Sequence, residues 1–150
     1  MAGRAGRGAT KGKVLIQTVE PDASFFELVQ KEDFEGFYHQ EIAYRLALGY
    51  PPFTHLIKLV FSGSKESLVK EEADFSRMLI DEMVGELDED IDVLGPAPCI
   101  RSKIKNRYRY QMLLKSSELG LMRSITRYII NRGLPSRVRL EVDVDPLIMI

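Results

Sequence analysis

The chain has 150 residues, of which 45% are hydrophobic and 29% charged, a composition typical of one globular domain with a buried core. No apolar run approaches the roughly 20 residues that span a bilayer, and no secretory signal is present, so we expect a cytoplasmic protein with no membrane partner. Its single cysteine, Cys99, excludes an internal disulfide, and with His39 and His55 it provides no spaced ligand set for a metal.

The net charge of -1 conceals a strong segregation of charge along the chain. Residues 64–92 contain eleven acids and three bases, a net charge of -8, whereas residues 93–139 contain eleven bases and one acid, a net charge of +10. Local electric fields can therefore be large even though the whole chain is nearly neutral.

The first residues are a glycine-arginine run, Ala2-Gly3-Arg4-Ala5-Gly6-Arg7-Gly8. Glycine lets the backbone approach a ligand closely, and arginine presents a planar fork of donors that stays charged, so this run can meet a phosphate. A solvated basic loop is the other interpretation. The β-branched residues that follow predict a short strand over residues 13–19.

A helix is predicted from about Asp33, because apolar residues recur at helical spacing. Gly49 is a suitable C-terminal cap, and Pro51-Pro52 stops the helix, which places a domain boundary near Tyr50. The apolar stripe of this helix consists of Phe34, Phe37, Tyr38, Ile42 and Leu46.

After this boundary the pattern predicts an α+β fold. Strands are expected near residues 55–61, 91–94, 107–115 and 138–145, and helices from Ser64 to Leu87 and from Glu118 to Gly133. The order strand, helix, strand, strand, helix, strand is that of a ferredoxin-like βαββαβ domain, with two helices on one face of an antiparallel sheet and the other face free.

Apolar spacing also predicts the buried faces of the two helices. The acidic residues of the first helix are expected on its solvated side. The predicted buried residues are Leu68, Phe75, Met78, Leu79, Met83 and Leu87 in the first helix, and Met122, Ile125 and Ile129 in the second.

Five cations at alternate positions form the candidate binding site of this domain. In an extended chain they would share one face and form a basic ridge about 27 Å long, at roughly 3.4 Å per residue, which suits a DNA phosphate backbone. The alternatives are a ridge that solvates a hairpin or one that pairs with the acidic helix. These cations are Arg101, Lys103, Lys105, Arg107 and Arg109.

Two other groups of side chains have a structural and a functional interpretation. Tyr108 and Tyr110 could stack on bases, but Met112 and Leu114 continue their face, which favours the core. Asp143 and a second aspartate two residues later share a face. Without further ligands in reach, they are expected to be solvated strand carboxylates rather than a metal site.

Several segments along the chain resemble known motifs. The first run is similar to motif VI of superfamily 2 helicases, Gln-x-x-Gly-Arg-x-Gly-Arg, although the glutamine that opens this motif is not in the sequence, which starts at Met1. Together the segments resemble the C-terminal end of the primosomal protein N′ (PriA) family of replication-restart helicases, over nearly the whole chain. The further segments are Gly12 to Thr18, Tyr50-Pro51-Pro52-Phe53, Asn106 to Lys115 and Asp143-Val144-Asp145-Pro146.

This resemblance implies a C-terminal fragment with three parts. Residues 1–25 would be the end of the second helicase lobe, residues 26–50 a connecting helix, and residues 51–150 the ferredoxin-like domain. Gly3, Arg4, Gly6 and Arg7 would then contact ATP and Mg²⁺ in the full-length enzyme, with the two arginines stabilising charge on the γ-phosphate. The family's zinc-binding cysteines are not present in this sequence.

The function implied is a 3′-5′ DNA helicase that acts at branched replication forks and on single strands, with primosome proteins and single-strand-binding protein as partners. Because neither a complete P-loop nor a first lobe is present, the chain alone is expected to need no cofactor and to hydrolyse no ATP. The alternative function is a protein-interaction domain that docks the helicase lobes or primosome partners.

Overall fold

The computed structural model describes residues 15–19, 25–87 and 90–146. The chain divides into two compact units, Met1–Ala43 and Tyr44–Ile150. The motif VI residues Gly3, Arg4, Gly6 and Arg7 lie outside the described residues.

Residues 15–18 have irregular backbone, and Val19 lies in a bend, so the predicted strand over residues 13–19 is wrong for the part that the structure describes. The apolar side chains of Leu15 and Val19 are almost fully exposed. A strand needs a hydrogen-bonded neighbour, and none of the described strands pairs with this segment.

Two helices follow, α1 (Phe25–Gln30) and α2 (Phe34–Ala47). The Asp33 side chain caps α2, since its Oδ1 accepts a hydrogen bond of 2.8 Å from the Gly36 amide. At the other end Gly49 has a φ of +58°, the left-handed conformation that glycine adopts without strain. The predicted start and end of this helix are therefore confirmed.

The remaining elements form a four-stranded antiparallel sheet with two helices, which confirms the α+β prediction. The sheet order is β2-β3-β1-β4, and the element order agrees with the predicted βαββαβ arrangement. The elements are β1 (His55–Gly63), α3 (Glu66–Gly85), β2 (Asp92–Ile104), β3 (Arg107–Ser116), α4 (Leu119–Asn131) and β4 (Val138–Val144).

The core lies between one face of this sheet and the two helices α3 and α4. Residues directly opposite in an antiparallel pair share a face, so the register defines which side chains meet. The paired residues at the centre are Ile57 with Leu114, Leu59 with Met112, and Phe61 with Tyr110, and all six are buried. The helices cover them with Val69, Ala73, Ile80, Met122, Ile125 and Ile129.

The face of the sheet away from α3 and α4, here called the outer face, is not entirely free. Leu56 and Val60 point to it and are nevertheless buried. At the Leu56 end, Lys115 Nζ donates a hydrogen bond of 3.3 Å to the Leu48 carbonyl, so the segment before β1 crosses that end. Ser62, near the other end of β1, is buried too, so the prediction of a free face is wrong along β1, although the outward side chains of β4 are exposed.

The prediction for the buried side of α3 is confirmed only in part, because the buried face is rotated. Four of the predicted residues do pack against the core, namely Leu68, Leu79, Met83 and Leu87. Phe75 and Met78 are 46% and 47% exposed, whereas the polar residues Glu72 and Ser76 are buried beside Val69. The N-cap is Lys65 instead of the predicted Ser64, and it makes no side-chain capping bond. Because α3 has apolar residues on several sides, its sequence alone did not fix the face that meets the sheet.

A polar network explains why two polar residues lie on the buried side of α3. The guanidinium of Arg132, which follows α4, pairs with the carboxylate of Glu72 and donates a hydrogen bond of 2.9 Å to Ser76 Oγ. The guanidinium also lies 5.0 Å from the centre of the Phe75 ring. These contacts join α3 to the end of α4.

Asp145 joins the end of β4 to the start of β1. Its Oδ1 accepts a hydrogen bond of 2.9 Å from the Leu56 amide, and its Oδ2 lies 2.9 Å from His55 Nδ1. Burial raises the pKa of Asp145, but the Leu56 amide, His55 and the charge of Arg123 outweigh it, so its pKa is below the usual value. The predicted solvated carboxylate is therefore wrong at this position, because the residue lies past the strand with φ +50° and turns back to β1.

Candidate nucleic-acid interface

The candidate basic residues lie on a hairpin formed by β2 and β3. Ile104 pairs with Arg107, and the two residues between them, Lys105 and Asn106, have φ values of +48° and +60°. Positive φ at both central positions is the signature of a type I′ turn, whose twist matches that of the flanking strands. The chain therefore reverses direction in the middle of the predicted ridge.

This turn overturns the prediction of one extended ridge about 27 Å long. Lys103 lies directly opposite Tyr108, which places both on one face of the hairpin. Arg109 lies opposite Ser62 and therefore points to the outer face. Since alternate residues of a strand share a face, Arg107 is on the outer side with Arg109, and Lys103 is on the opposite side.

Two of the five cations have defined intramolecular contacts. Lys103 Nζ lies 3.2 Å from the Tyr108 hydroxyl and 4.4 Å from the centre of its ring. One guanidinium nitrogen of Arg107 donates a hydrogen bond of 2.9 Å to the Ser62 carbonyl. Its other donors remain available for a ligand.

The other three cations, Arg101, Lys105 and Arg109, make no ion pair with any residue in the described ranges. The acidic helix α3 instead pairs its carboxylates Asp81 and Glu72 with Arg77 and Arg132. The interpretation in which the basic residues pair with α3 therefore finds no support in these contacts.

β2 is longer and less regular than the predicted strand over residues 91–94. Its register with β3 shifts between Leu94 and Ala97 and again between Pro98 and Lys103. Arg77 of α3 supports the first irregular part, because it donates hydrogen bonds of 2.7 Å and 2.5 Å to the carbonyls of Val93 and Gly95. Residues 99–102 thus form an irregular segment before the hairpin turn.

The tyrosines of β3 were predicted to belong to the core, and Tyr110 confirms this. It is buried in the core cluster, and its hydroxyl donates a hydrogen bond of 3.2 Å to Glu66. Burial and this contact raise the pKa of Tyr110 above its usual value. Tyr108 is half-buried beside Lys103, so neither ring lies open for base stacking as the alternative required.

Cys99 lies near the same surface. Burial raises the pKa of its thiol, although the positive charges of Arg109 and Lys58 oppose that effect. No group of three or more His, Cys, Asp or Glu side chains in the described part of the chain is arranged to hold a metal ion. Among the helices of the described ranges, none has the length and apolarity to cross a membrane.

Arg139, an outer-face cation outside the predicted set of five, lies close to Arg109. Ser62 of β1 has Arg109 of β3 directly opposite on one side and Arg139 of β4 directly opposite on the other. The strict alternation of β4 in the sequence already indicates that Arg139 lies on the face opposite the apolar side chains. Its position beside Ser62 and Arg109 becomes known only from the order of the strands in the sheet.

The Primosomal protein N C-terminal domain family matches residues 46–147 of this chain. The chain belongs to this family. The matched range contains every strand of the sheet and both helices that pack on it.

Relatives in this family match over nearly the full length of the chain. The protein named Replication restart protein PriA from Treponema pallidum is 36% identical over 148 residues, which are 98% of this chain and 22% of that protein. Proteins of the same name from Synechocystis and Chlamydia muridarum are 36% and 35% identical over 148 residues, 98% of this chain, and the chain spans 17% and 19% of their lengths.

A comparison with solved structures gives a more distant likeness. The de novo designed protein Foldit4 covers 61% of this chain with 12% identity and a TM-score of 0.44, over 94% of its own length. At this TM-score and identity, the designed protein says nothing about the function of this chain.

Proposed function

We propose that this chain binds DNA as part of a replication-restart helicase, in the cytoplasm, and that the β2–β3 hairpin and the adjoining outer face make the contact. The names of the relatives support the setting of replication restart. The chain spans about a fifth of the length of these relatives, so helicase activity and primosome partners belong to the proposed whole protein.

The observation that carries this proposal is the set of hairpin cations without acidic partners. Arg101, Lys105 and Arg109 make no ion pair in the described ranges, and Arg107 keeps free donors beside them. Cations that are not neutralised within the protein can neutralise DNA phosphates and release their counterions, which favours binding regardless of sequence.

In the full-length protein we also propose that Arg4 and Arg7 act on ATP. The resemblance to motif VI supports this role, in which the two guanidinium groups, next to Gly3 and Gly6, would neutralise charge on the γ-phosphate of a Mg²⁺-bound ATP. Arginines in that role are worth about 10³ to 10⁵ in rate. Substitution of either by alanine in the full-length protein should reduce ATP turnover while leaving DNA affinity nearly unchanged.

The competing function is a docking domain for the helicase lobes, primosome proteins or single-strand-binding protein. A direct test measures binding of the chain to fluorescent fork, single-stranded and duplex DNA by anisotropy at several salt concentrations. DNA binding predicts affinities that fall linearly with the logarithm of salt concentration. If the chain binds none of the three DNAs at low salt, the DNA-binding proposal is wrong and the docking function is favoured.

The role of the hairpin is tested by a variant with alanine at Arg101, Lys105 and Arg109. Each lost phosphate contact should reduce the slope of log affinity against log salt by roughly 0.7 to 0.9. A matched variant removes three exposed cations elsewhere, Lys65, Lys70 and Arg127. If both variants lose affinity equally, net charge rather than the hairpin determines binding.

A further inference from the structure

We call a residue of β1, together with the residues directly opposite it on β3 and β4, a row, and we name each row by its β1 residue. Of the outer-face rows formed by β1, β3 and β4, the Ser62 row has the largest net positive charge. The Ser62 row contains Arg109 and Arg139 and has a charge of +2. The Val60 row contains Gln111 and Glu141 and has a charge of -1.

The rows nearer the start of β1 are electrically balanced. In the Lys58 row, the residues directly opposite are Leu113 and Asp143, so one positive and one negative charge cancel. In the Leu56 row, Lys115 forms an ion pair of 2.9 Å with Asp92. A phosphate backbone that ran along the strands would leave the Ser62 row and meet Glu141 after about 7 Å, two residues of strand.

The Ser62 row places arginines on both sides of a buried serine, which is only 4% exposed. Ser62 has a short side chain, and the arginines of the neighbouring strands rise on both sides of it, about 10 Å apart at two strand spacings. Arg107 is held against Ser62 by the hydrogen bond of 2.9 Å to its carbonyl and a longer one of 3.5 Å to its hydroxyl. A guanidinium that is already positioned loses less freedom when it binds a phosphate.

Neither Arg109 nor Arg139 has a hydrogen-bond or ion-pair partner in the part of the chain that the structure describes. The three arginines therefore surround Ser62 with donors, and bidentate arginine–phosphate pairs are among the stronger charge-assisted hydrogen bonds. No aromatic side chain stands in the Ser62, Val60 or Lys58 row, so base stacking contributes nothing there.

We propose that Arg107, Arg109 and Arg139 bind consecutive phosphates of one single DNA strand, which crosses the sheet at the Ser62 row instead of running along the strands. This inference rests on the proposed DNA binding and adds Arg139 of β4 to it. A duplex whose second backbone lay on the Val60 side of this row would meet Glu141, whereas a single strand avoids it.

The test uses the whole chain, a fluorescent 20-nucleotide oligo(dT), and anisotropy titrations at salt concentrations from low to high. Arg139→Ala should weaken binding about fivefold at 0.1 M salt and lower the salt slope by about 0.7, the contribution of one single-strand phosphate contact. The matched control is Arg127→Ala on α4, which removes the same charge from an exposed position outside the sheet. It should change affinity less than twofold.

Two further variants sharpen the result. Glu141→Gln should tighten binding, because it removes the negative charge beside the crossing strand. Arg139→Lys keeps the positive charge but lacks the planar guanidinium that can bind a phosphate through two nitrogens. Its affinity for the oligonucleotide should therefore lie between those of wild type and Arg139→Ala. It also serves as the folded variant if circular dichroism reveals that the alanine variant is destabilised.

The possible failures are distinguishable. If Arg109→Ala weakens binding but Arg139→Ala, like the control Arg127→Ala, changes affinity less than twofold, the DNA strand does not cross the sheet at the Ser62 row. The proposed DNA binding would still stand. If wild type binds a duplex of the same length more tightly than oligo(dT), the commitment to a single strand is wrong. If wild type binds neither DNA at low salt, both proposals fail.

Discussion

Helices α2 and α4 have nearly the same length, 14 and 13 residues, yet they differ completely in burial. α4 buries Met122, Ile125, Thr126 and Ile129 against the sheet. α2 has no buried residue, and its aromatic residues Phe34 and Tyr38 are 81% and 60% exposed. An apolar stripe therefore identifies the residues that can be buried, whereas the surface that buries them lies elsewhere in the chain.

The largest effect is expected from removing a core side chain of α4. Ile129→Ala should reduce the free energy of unfolding by about 2–5 kcal/mol, because Ile129 is fully buried and its loss leaves a cavity. Urea denaturation measures this change. The control is Ile130→Ala, the next residue of the same helix, which is 47% exposed and should cost well under half as much. Equal losses would contradict the assigned face of α4.

A smaller loss is expected where α3 is joined to the end of α4. Glu72→Ala removes the carboxylate partner of Arg132 and leaves the guanidinium with Ser76 and the Phe75 ring, at a cost of about 1–3 kcal/mol. Glu71 is its exposed neighbour on the same helix, so Glu71→Ala should stay within about 0.5 kcal/mol of wild type. An equal loss for both variants would mean that the ion pair with Arg132 is not responsible.

A pH-dependent effect is expected from Asp145, which ties β4 to β1. Its folded-state pKa is lowered, so its contribution to stability is fully present above the unfolded value of about 3.9 and is lost as pH falls through the folded value. Asp145→Asn should therefore be less stable than wild type at pH 7, and the difference should shrink as the pH falls below about 3.9 and through the folded pKa. Unfolding of both proteins across this range checks the prediction; a constant difference at every pH would contradict it.

The smallest effect is expected in α2. Tyr38→Ala should change the free energy of unfolding by less than about 0.5 kcal/mol, because the side chain is 60% exposed and alanine has the higher helix propensity. The measurement is the same urea titration as for Ile129→Ala, which provides the contrast. A loss above 1 kcal/mol would reveal a packing role for α2 that its exposure does not indicate.

Much of the fold could be predicted where one period dominates the sequence. β3 begins at Arg107 as predicted, and α4 buries the three residues that its spacing indicated. Prediction was wrong where two patterns compete. In α3, Phe75 and Met78 are as apolar as the residues that are buried, so only contact with the sheet selects the face.

The candidate cations could be named from the sequence, but their geometry was not predicted, and their role in binding stays a prediction. Five cations were recognised, yet Asn106 is a residue that tolerates positive φ, and with Lys105 it forms the turn that separates them. That turn could have been read from the sequence. The position of Arg139 beside Ser62 could not, because it depends on β4 pairing with β1 across nearly eighty residues of chain.

The irregular course of β2 has a consequence for association between copies of the protein. β2 is an edge strand of the sheet, and an exposed edge can pair with a strand from another molecule. Pro96 and Pro98 have no amide hydrogen to donate, and the two shifts of register bend the strand away from a straight ladder. The prolines and register shifts that made this strand hard to predict therefore also make it a poor template for sheet extension, which protects the β2 edge of the sheet against pairing with another molecule.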